Sequence, residues 1–307
     1  MEDVLFIGVD IGGTKTSVSI GNEEGAILNK IQFPTQKGPQ QVLSDCYLAI
    51  DELLKGFDRL RVQAIGISCG GPLDSKRGLI QSPPNLPFWD DIPVVQLFQD
   101  RTGIPAYLEN DANACALAEW LWGSGKGCSS MIFLTFGTGL GAGLILDGRL
   151  YRGKGMLAGE VGHWRMKDDG PMCYGKRGSW ESFCSGAGIS SLYREKTRQS
   201  ISAKEICLLA EEGDETALSV MTLSAKTLGQ GLALLIDLLN PERIVIGSIF
   251  CRCEGLFRSI MEEEIEKEAL AQSAQACKVY PSALGEFLGD MAALGIAMDR
   301  YAQKGGR

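Results

Sequence analysis

Residues 10–16 spell Asp10-Ile11-Gly12-Gly13-Thr14-Lys15-Thr16 and join a buried strand, Val4–Asp10, to an alternating strand, Thr16–Ile20. Adjacent glycines let a backbone approach an anion closely, with N–H groups pointing inward and threonine hydroxyls as further donors. Lys15 adds positive charge, and Asp10 could hold a magnesium ion through water. A Gly-Gly turn is also common in plain hairpins, so this stretch alone fits both interpretations. The Walker pattern G-x-x-x-x-G-K-[ST] is absent.

A second glycine loop repeats this arrangement later in the chain. The sequence Phe136-Gly137-Thr138-Gly139-Leu140-Gly141-Ala142-Gly143 follows an apolar strand at Met131–Phe136. Glycines at alternating positions suit a backbone that wraps a phosphate, although they also permit close packing in a strand. The next residues, 144–151, indicate a hairpin turning at Asp147-Gly148 and not a helix, which excludes the Rossmann fingerprint and an NAD-dependent enzyme. Two such loops could hold a β- and γ-phosphate from both sides.

The periodicity around the two loops indicates a mixed α/β protein. We predict strands by apolar runs or alternation and helices by apolar spacing of three and four. Besides those given above, the predicted strands are Ala26–Ile31, Val62–Ser68, Pro105–Glu109 and Arg243–Ile246, and the predicted helices are Pro39–Lys55, Ala217–Leu239, Leu256–Ala271 and Gly285–Gln303. The glycine-rich segments 70–93 and 153–188 are irregular. The pattern predicts two sheets, each of which begins with a glycine-turned hairpin.

Length and charge restrict the class of protein. A chain of 307 residues allows roughly two domains. The net charge is −8 and no long Lys/Arg run occurs, which argues against nucleic acid or an anionic membrane as partner. The acidic N-terminus lacks the features of a secretory signal, and no apolar run reaches about 18 residues. The ten cysteines are therefore expected to be reduced thiols, and the protein is expected to be cytoplasmic.

The chain has a single histidine, His163, so acid–base chemistry elsewhere must use carboxylates. The segment Glu109-Asn110-Asp111-Ala112-Asn113 lies between a predicted strand and a helix. A carboxylate there is usually an N-cap, and the alternative is a base for an attacking hydroxyl. Polar groups in the segments 159–163 and 178–181 could bond sugar hydroxyls, although a lone histidine is more often structural.

Taken in order, these motifs resemble the ROK family of repressors, open reading frames and kinases, which belongs to the hexokinase/actin superfamily. The likeness covers essentially the whole chain: DIGGTK at 10–15, SCGGPLD at 68–74, ENDANACALAE at 109–119, FGTGLGAG at 136–143, GEVGH at 159–163, GxxGxxE at 175–181 and RIVIG at 243–247. The resemblance implies a two-lobed actin-like ATPase fold built from RNase H-like lobes. The small lobe would comprise residues 1–113 and 290–307, and the large lobe residues 114–289.

The resemblance also implies a role for individual residues. Asp111 would be the catalytic base, with Asn110 beside it on a sugar hydroxyl. The other implied sugar contacts are Gly71, Asn85, Glu160, His163 and Glu181. The implied ATP-binding residues are Asp10, Gly12, Gly13, Thr14, Lys15, Gly137, Thr138, Gly139 and Gly247, the last of which begins the adenosine motif. Ser248 follows it where the family usually has a second glycine.

One segment departs from the family pattern. Family members typically carry C-x-C-G-x-x-G-C-x-E, whose cysteines bind a structural zinc ion together with the histidine. Here residues 172–181 retain at most Cys173, and a serine replaces the last cysteine. A closed zinc site needs four ligands, and His163 and Cys173 supply two. We predict no structural zinc and a loop held by packing of Tyr174 and Trp180, which leaves His163 free to serve as a sugar contact and not as a zinc ligand.

These features predict ATP-dependent phosphorylation of a hexose or N-acetylhexosamine at the 6-OH, with Mg²⁺ carried by ATP. The enzyme would be glucokinase-like or similar to an N-acetylglucosamine or N-acetylmannosamine kinase. The expected partners are sugar and ATP, with no nucleic acid and no membrane, and the resemblance suggests a homodimer. Family repressors carry a helix-turn-helix before the first phosphate motif, and here that motif begins at residue 10. The alternative is a sugar-binding regulator without kinase activity.

Overall fold

The structure is a computed structural model that describes residues 4–305. Its strands are β1 (Leu5–Ile11), β2 (Lys15–Asn22), β3 (Ile27–Pro34), β4 (Val62–Cys69), β5 (Leu73–Asp74), β6 (Leu79–Ile80), β7 (Ala106–Asn110), β8 (Met131–Phe136), β9 (Leu140–Leu146), β10 (Arg149–Tyr151), β11 (Met172–Cys173), β12 (Lys176–Arg177), β13 (Arg243–Ile246) and β14 (Lys278–Pro281). Its α-helices are α1 (Pro39–Leu54), α2 (Val94–Thr102), α3 (Asp111–Trp122), α4 (Trp180–Phe183), α5 (Gly186–Thr197), α6 (Ala203–Glu211), α7 (Glu215–Leu239), α8 (Ile249–Glu268), α9 (Ala271–Ala276) and α10 (Leu288–Gln303).

The chain folds as two compact units. Unit 1 extends to Lys126 and includes Gly153–Met156 and the C-terminal segment from Glu286, and unit 2 comprises Gly127–Arg152 and Leu157–Gly285. The lobe boundary predicted after residue 113 falls inside α3. That helix belongs to unit 1 because it packs on α10, where Gly295 approaches Leu117. Residues 1–3 and 306–307, assigned from the sequence to the small lobe, lie outside the described part of the chain.

Unit 1 contains a five-stranded sheet in the order β3-β2-β1-β4-β7. Strands β1, β2 and β3 form the predicted antiparallel meander, with the glycine turn of residues 12–14 between the first two. Strands β1, β4 and β7 are parallel, and Ile11, Cys69 and Asn110 occupy matching positions across them. The carboxyl ends of these three strands therefore lie level at one edge of the sheet.

Helix α10 lies against β1 and β4 with almost no side-chain layer between them. A Cβ atom at Gly66 of β4 would come 2.0 Å from the Ala293 carbonyl oxygen and 2.7 Å from the Ala297 amide nitrogen. On β1, a Cβ atom at Gly8 would lie 3.0 Å from that of Ala293. Glycine in a strand allows this kind of close backbone approach. The contact sets the position of the first residues of α10, which reach the predicted site.

Unit 2 contains a second five-stranded sheet, in the order β10-β9-β8-β13-β14. Strands β8, β9 and β10 are antiparallel, as the second strand–glycine turn–strand pattern predicts, and β13 runs parallel to both β8 and β14. The edge strand β14 was not predicted, because its Lys-Val-Tyr-Pro sequence is short and only half-buried. Helix α2 of unit 1 was also missed, since the Gly/Pro-rich sequence before it indicates a loop.

Helix α7 forms the centre of the unit 2 core. Within residues 4–305 it is the one helix long and apolar enough to cross a membrane by length and composition. However, 67% of its most apolar window is buried within the protein. Gly229 lies against α8 near Met261, and Gly231 lies against the ring of Trp180. Burial against neighbours is typical of the core helix of a globular unit.

The cysteines depart from the sequence prediction at one pair. Cys207 of α6 and Cys253 of α8 form a disulfide, with Cα atoms 6.4 Å apart and a sequence separation of 46 residues. The expectation of reduced thiols throughout is wrong here, because packing of α6 against α8 brings together residues that no sequence spacing connects. Within residues 4–305, the other eight cysteines are not disulfide-bonded.

We expect Gly66→Ala to destabilise the protein strongly, because the added methyl group would overlap the backbone of α10 and force that helix off the sheet. A loss of about 3 kcal/mol in the free energy of unfolding is expected, at the upper end for overpacked cores. Urea unfolding measures this loss. Gly56→Ala is the matched control, since its nearest non-neighbouring atom would be 3.8 Å away. Equal stability of the two variants would contradict the packing described for α10.

Candidate functional site

The first glycine turn lies at the carboxyl end of β1, where Gly13, Thr14 and Lys15 are exposed. The Gly12 N–H donates to the Lys15 carbonyl at 3.1 Å, and the Thr35 hydroxyl donates to the Gly12 carbonyl at 2.6 Å. A Cβ atom at Gly13 would come 2.7 Å from Cβ of Asn85. The Thr35 hydroxyl thus restrains the turn on one side. Asn85, a predicted sugar contact, lies against the turn on another side.

Asp111 is the first residue of α3, and its side chain is exposed. Asn110 is the N-cap, with its side-chain oxygen accepting from Ala112 N at 2.9 Å, and Asp111 Oδ1 accepts from the same N–H at 2.8 Å. Gly70 and Gly71 leave space here, because Cβ atoms on them would lie 3.8 Å from Asp111 Oδ2 and 3.6 Å from Asn110 Nδ2. The exposed carboxylate therefore stands beside an open glycine pair.

Asp10 is a nearly buried carboxylate one residue before the end of β1. Its pKa is raised from 3.8 to about 6, first by burial and then by the negative charges of Asp290 and Asp111, against the lowering effect of Lys15 and Lys30. Its Oδ2 atom faces the start of α10, where a Cβ atom at position 289 would come within 2.8 Å. The ionised form of Asp10 is thus disfavoured unless a cation offsets the local charge.

Asp290 is a neighbour of Asp10 that the sequence analysis missed. Its buried carboxylate accepts from the Ser17 hydroxyl at 2.7 Å and from Lys30 Nζ at 2.5 Å. These partners lie on β2 and β3, so Asp290 ties α10 to the antiparallel part of the sheet. No local pattern marks it, because an aspartate in the first turn of a helix is ordinary.

The second glycine turn, in unit 2, is held by backbone and carboxylate contacts. The Gly137 N–H donates to the Gly139 carbonyl at 3.1 Å, and Gly186 N donates to the Gly137 carbonyl at 2.7 Å. Leu140 N donates to Glu181 Oε2 at 2.8 Å, and a Cβ atom at Gly139 would lie 2.8 Å from that oxygen. The turn therefore lies directly against Glu181, a predicted sugar contact.

Glu181 accepts two further hydrogen bonds from the segment that departs from the family pattern. The Tyr174 hydroxyl donates to Oε2 at 2.5 Å, and the Cys173 thiol donates to Oε1 at 3.1 Å. The Tyr174 ring stacks on His163, with centroids 3.6 Å apart and 21° between planes. Burial raises the Tyr174 pKa, as do the hydrogen bond to Glu181 and the charges of Glu181, Cys173 and Glu160.

Tyr174 and Gly175 form the two-residue turn of the β11–β12 hairpin, with φ angles of 53° and 69°. Such a turn favours Asn and Gly, and a left-handed conformation costs other residues about 1–2 kcal/mol. A second aromatic pair, Trp164 and Trp180, stacks with centroids 5.6 Å apart. The prediction that Tyr174 and Trp180 hold this segment by packing is confirmed.

The donors in this segment do not fit a structural zinc ion. Burial and Glu181 raise the Cys173 pKa to about 11, whereas zinc binds the thiolate. His163 is the second remaining donor, and two donors fall short of the four ligands of a structural zinc site. Within residues 4–305, no group of three or more His, Cys, Asp or Glu side chains could hold a metal ion.

A cleft of about 540 Å³ opens beside the second glycine turn in unit 2. It is lined by Gly137, Thr138, Gly186, Ala187, Ser190, Ser202, Ala203, Lys204, Ser248, Ile249 and Arg252. Helices α5 and α8 begin there, so their N-terminal N–H groups and positive dipole ends favour an anion. The sequence analysis missed its cations, Lys204 and Arg252, because they belong to helices with no motif.

The predicted adenosine motif contributes to this cleft through Ser248. Gly247 continues the sheet, with its N–H donating to the Leu134 carbonyl at 3.0 Å, while Ser248 lines the cleft. Ser248 has a φ of 54°, a conformation that glycine adopts at lower cost. A Cβ atom at Gly137 would lie 3.5 Å from its hydroxyl oxygen. The glycine turn and the predicted adenosine motif are therefore adjacent within unit 2.

The structure groups the predicted site residues by unit. In unit 1 the carboxyl ends of β1, β4 and β7, with the loops that follow, carry Asp10, Gly12, Gly13, Thr14, Lys15, Gly71, Asn85, Asn110 and Asp111. In unit 2 the second glycine turn and the segments around it carry Gly137, Thr138, Gly139, Glu160, His163, Glu181 and Gly247.

Each unit thus combines a five-stranded mixed sheet with a glycine-turned hairpin and polar loops, which defines the actin-like ATPase fold of the hexokinase/actin superfamily. The fold class predicted from the sequence is confirmed. The chain belongs to the ROK family, whose sequence profile matches residues 6–300.

Several relatives resemble the chain over most of its length. The glucokinase of Thermotoga maritima is 30% identical over 317 residues, covering 98% of this chain and 99% of that protein. The ROK hexokinase of Thermus thermophilus has a TM-score of 0.89 at 30% identity, covering 98% and 100%. A ROK glucokinase from Streptomyces griseus, solved with glucose and AMPPNP, has a TM-score of 0.78 at 30% identity, covering 95% and 99%. The xylose repressor of Bacillus subtilis is 24% identical over 302 residues, covering 96% of this chain and 77% of that protein.

We expect Asp10→Asn to stabilise the protein near neutral pH. Because the folded-state pKa of Asp10 is raised from 3.8 to about 6, the stability tied to its protonated form is complete below pH 3.8 and is lost as the pH rises through about 6. The variant should unfold with a free energy higher by about 1–3 kcal/mol at about pH 7.5, with no such gain near about pH 4. Urea unfolding at both pH values measures this. Asp100→Asn, on the exposed face of α2, should show neither effect. A lower stability of Asp10→Asn at neutral pH would contradict the raised pKa of Asp10.

Proposed function

We propose that the protein is an ATP-dependent sugar kinase, which transfers the γ-phosphoryl group of ATP to the 6-OH of a hexose or N-acetylhexosamine. The observation that carries the proposal is the exposed Asp111 carboxylate, held at the first turn of α3 in the same unit as the glycine turn of residues 12–15. A kinase needs these two parts, a base for the attacking hydroxyl and backbone donors for the phosphates.

Asp111 would act as the general base. Its Oδ1 atom is occupied by the Ala112 N–H, and Gly70 opposite Oδ2 has no side chain to obstruct a sugar hydroxyl. Accepting the proton as the hydroxyl attacks the γ-phosphorus makes the oxygen a stronger nucleophile. Asn110, oriented by its own capping bond to Ala112 N, would hold a neighbouring hydroxyl.

Each glycine turn would be a phosphate-binding element of its own unit, and the unit 2 cleft would bind the nucleotide. The turn at residues 12–15 and the turn at residues 137–139 offer backbone N–H groups, and Lys15 adds a charge for the phosphates. The cleft, with Lys204 and Arg252 on its walls, has a volume that suits a nucleotide. Binding both substrates in fixed orientation would supply most of the rate enhancement.

Mg²⁺ would enter with ATP, and the acidic surroundings of Asp10 suit it. The raised Asp10 pKa reflects burial and the charges of Asp290 and Asp111, so a nearby cation would favour the ionised carboxylate. With ATP bound, Mg²⁺ would neutralise phosphate charge, and Asp10 would contact it through water. Lys30, bonded to Asp290, would keep part of the remaining charge compensated.

Sugar recognition would use Glu160, His163 and Glu181, because carboxylates and an imidazole can accept or donate to several hydroxyl groups. The names of the relatives favour glucose as the first substrate to test, and a ROK glucokinase from Streptomyces griseus has been solved with glucose and AMPPNP. N-acetylglucosamine and N-acetylmannosamine belong in the same panel. The alternative is a sugar-binding regulator without kinase activity, for which Asp111 would have no catalytic use.

We expect Asp111→Asn to reduce kcat by about 10²–10⁴-fold, because the amide cannot accept the hydroxyl proton. A coupled ADP-release assay with Mg-ATP and a panel of glucose, mannose, fructose, allose, N-acetylglucosamine, N-acetylmannosamine and a β-glucoside measures turnover. Calorimetric titration should show sugar binding within about 3-fold of the unsubstituted protein. Asp100→Asn should keep full activity. Near-normal turnover of Asp111→Asn would exclude this base, and no turnover on any sugar by the unsubstituted protein would favour the regulator.

We expect Arg252→Ala to raise the KM for ATP by about 10-fold, because a charged hydrogen bond to an anion is lost. The KM for sugar should stay unchanged, since Arg252 lies in the cleft lined by Ser248 and Thr138. Initial rates at varied ATP and saturating sugar measure the effect. Arg149→Ala, an exposed arginine on β10, is the control. An unchanged KM for ATP would argue against nucleotide binding in this cleft.

A further inference from the structure

Tyr174 connects two of the residues proposed to contact sugar. Its ring stacks on the imidazole of His163 at 3.6 Å, and its hydroxyl donates to Glu181 Oε2 at 2.5 Å. The two partners lie on different elements: His163 ends a 3-10 turn, and Glu181 lies in the first turn of α4. The Tyr174 side chain therefore sets both the ring plane of His163 and the orientation of the Glu181 carboxylate.

We propose that Tyr174 is a positioning residue of the sugar site, which sets sugar affinity by orienting His163 and Glu181. This proposal rests on the sugar kinase function proposed above and deepens it. Neither the base nor the phosphate turns include Tyr174, and Tyr174 does not line the unit 2 cleft. Its loss should therefore change the KM for sugar and leave the KM for ATP unchanged.

The hydrogen bonds of Glu181 explain why its orientation depends on Tyr174. Oε2 accepts from Leu140 N and the Tyr174 hydroxyl, and Oε1 accepts from the Cys173 thiol. A carboxylate has about four lone-pair positions, so one remains to accept a sugar hydroxyl. Without the Tyr174 hydroxyl, Leu140 N alone would restrain Oε2, and the carboxylate could rotate away from the orientation that a sugar needs.

The backbone at Tyr174 supports a role beyond holding the hairpin. The residue occupies the first position of the Tyr174-Gly175 turn with a φ of 53°, where asparagine or glycine has a lower conformational cost. A strained residue is kept when its surroundings or its function require that side chain. If Tyr174 served the turn alone, Tyr174→Asn would be at least as stable and equally active.

The kinetic experiment compares Tyr174→Phe, which keeps the ring but loses the hydroxyl, with Tyr174→Asn, which keeps the turn but loses both contacts. We expect the KM for sugar to rise by about 3–10-fold in the Phe variant and by more than about 10-fold in the Asn variant. In both variants kcat should stay within about 3-fold and the KM for ATP should be unchanged. Tyr151→Phe, an exposed tyrosine on β10, is the matched control. An unchanged KM for sugar in the Asn variant would overturn the proposal.

A second measurement tests the stack without relying on kinase activity. His163 is the single histidine of the chain, so an untagged protein gives one set of imidazole NMR signals. The Tyr174 ring current should shift these signals upfield in the unsubstituted protein and in Tyr174→Phe, and the shift should disappear in Tyr174→Asn. Signals at the same position in the Asn variant would show that the stack does not form and would overturn the proposal.

Titration of glucose and of the N-acetylhexosamines against the His163 signals separates this proposal from the proposed kinase function. If the unsubstituted protein binds a sugar but turns over none, the kinase function fails, and a weaker sugar affinity in Tyr174→Asn still supports positioning. If the His163 signals move in the Asn variant while sugar affinity and KM do not change, Tyr174 is only structural and the proposal fails. Absence of any sugar binding by the unsubstituted protein would overturn both.

Discussion

Both glycine turns depend on the same steric constraint. Each needs a position without a side chain, because a polar residue from a segment distant in sequence lies against that position. Asn85 occupies this space beside Gly13, and Glu181 occupies it beside Gly139. In each case a single added methyl group would come within 2.8 Å of the neighbouring residue. Glycine therefore allows the backbone conformation of each turn. It also allows a candidate sugar-binding side chain to lie close to candidate phosphate donors.

The unfavourable interactions between neighbouring carboxylates lie in unit 1. Asp10 and Asp290 are largely buried, Asp111 lies near them, and Lys30 bonds only Asp290 among these three carboxylates in the contacts described. Such an arrangement destabilises the protein near neutral pH, because the ionised form of Asp10 is unfavourable. A cation bound near these carboxylates would lower this cost, which is a common compromise between stability and function.

The departure from the family's zinc pattern changes how unit 2 holds the segment of residues 172–181. A metal would fix four ligands by coordination, whereas here a ring stack, a Trp–Trp pair and hydrogen bonds to Glu181 restrain the segment. These contacts use neutral groups, since burial and the neighbouring carboxylate keep Cys173 and Tyr174 protonated. Packing of the aromatic side chains thus takes the place of metal coordination. Each packing contact is weaker than a metal–ligand bond, but the contacts add together.

The sequence by itself determined the fold class, the two glycine-turned hairpins and most long elements, because hydrophobic periodicity and glycine placement are local properties of the chain. It also located Asp111 at a strand–helix junction. Tertiary structure alone decided the partners of these residues: Asp290 beside Asp10, Tyr174 between His163 and Glu181, and the pairing of two cysteines. Such partners come from segments far apart in sequence, or from a turn whose backbone conformation is unfavourable for the residue that occupies it. The local sequence pattern carries no information about either.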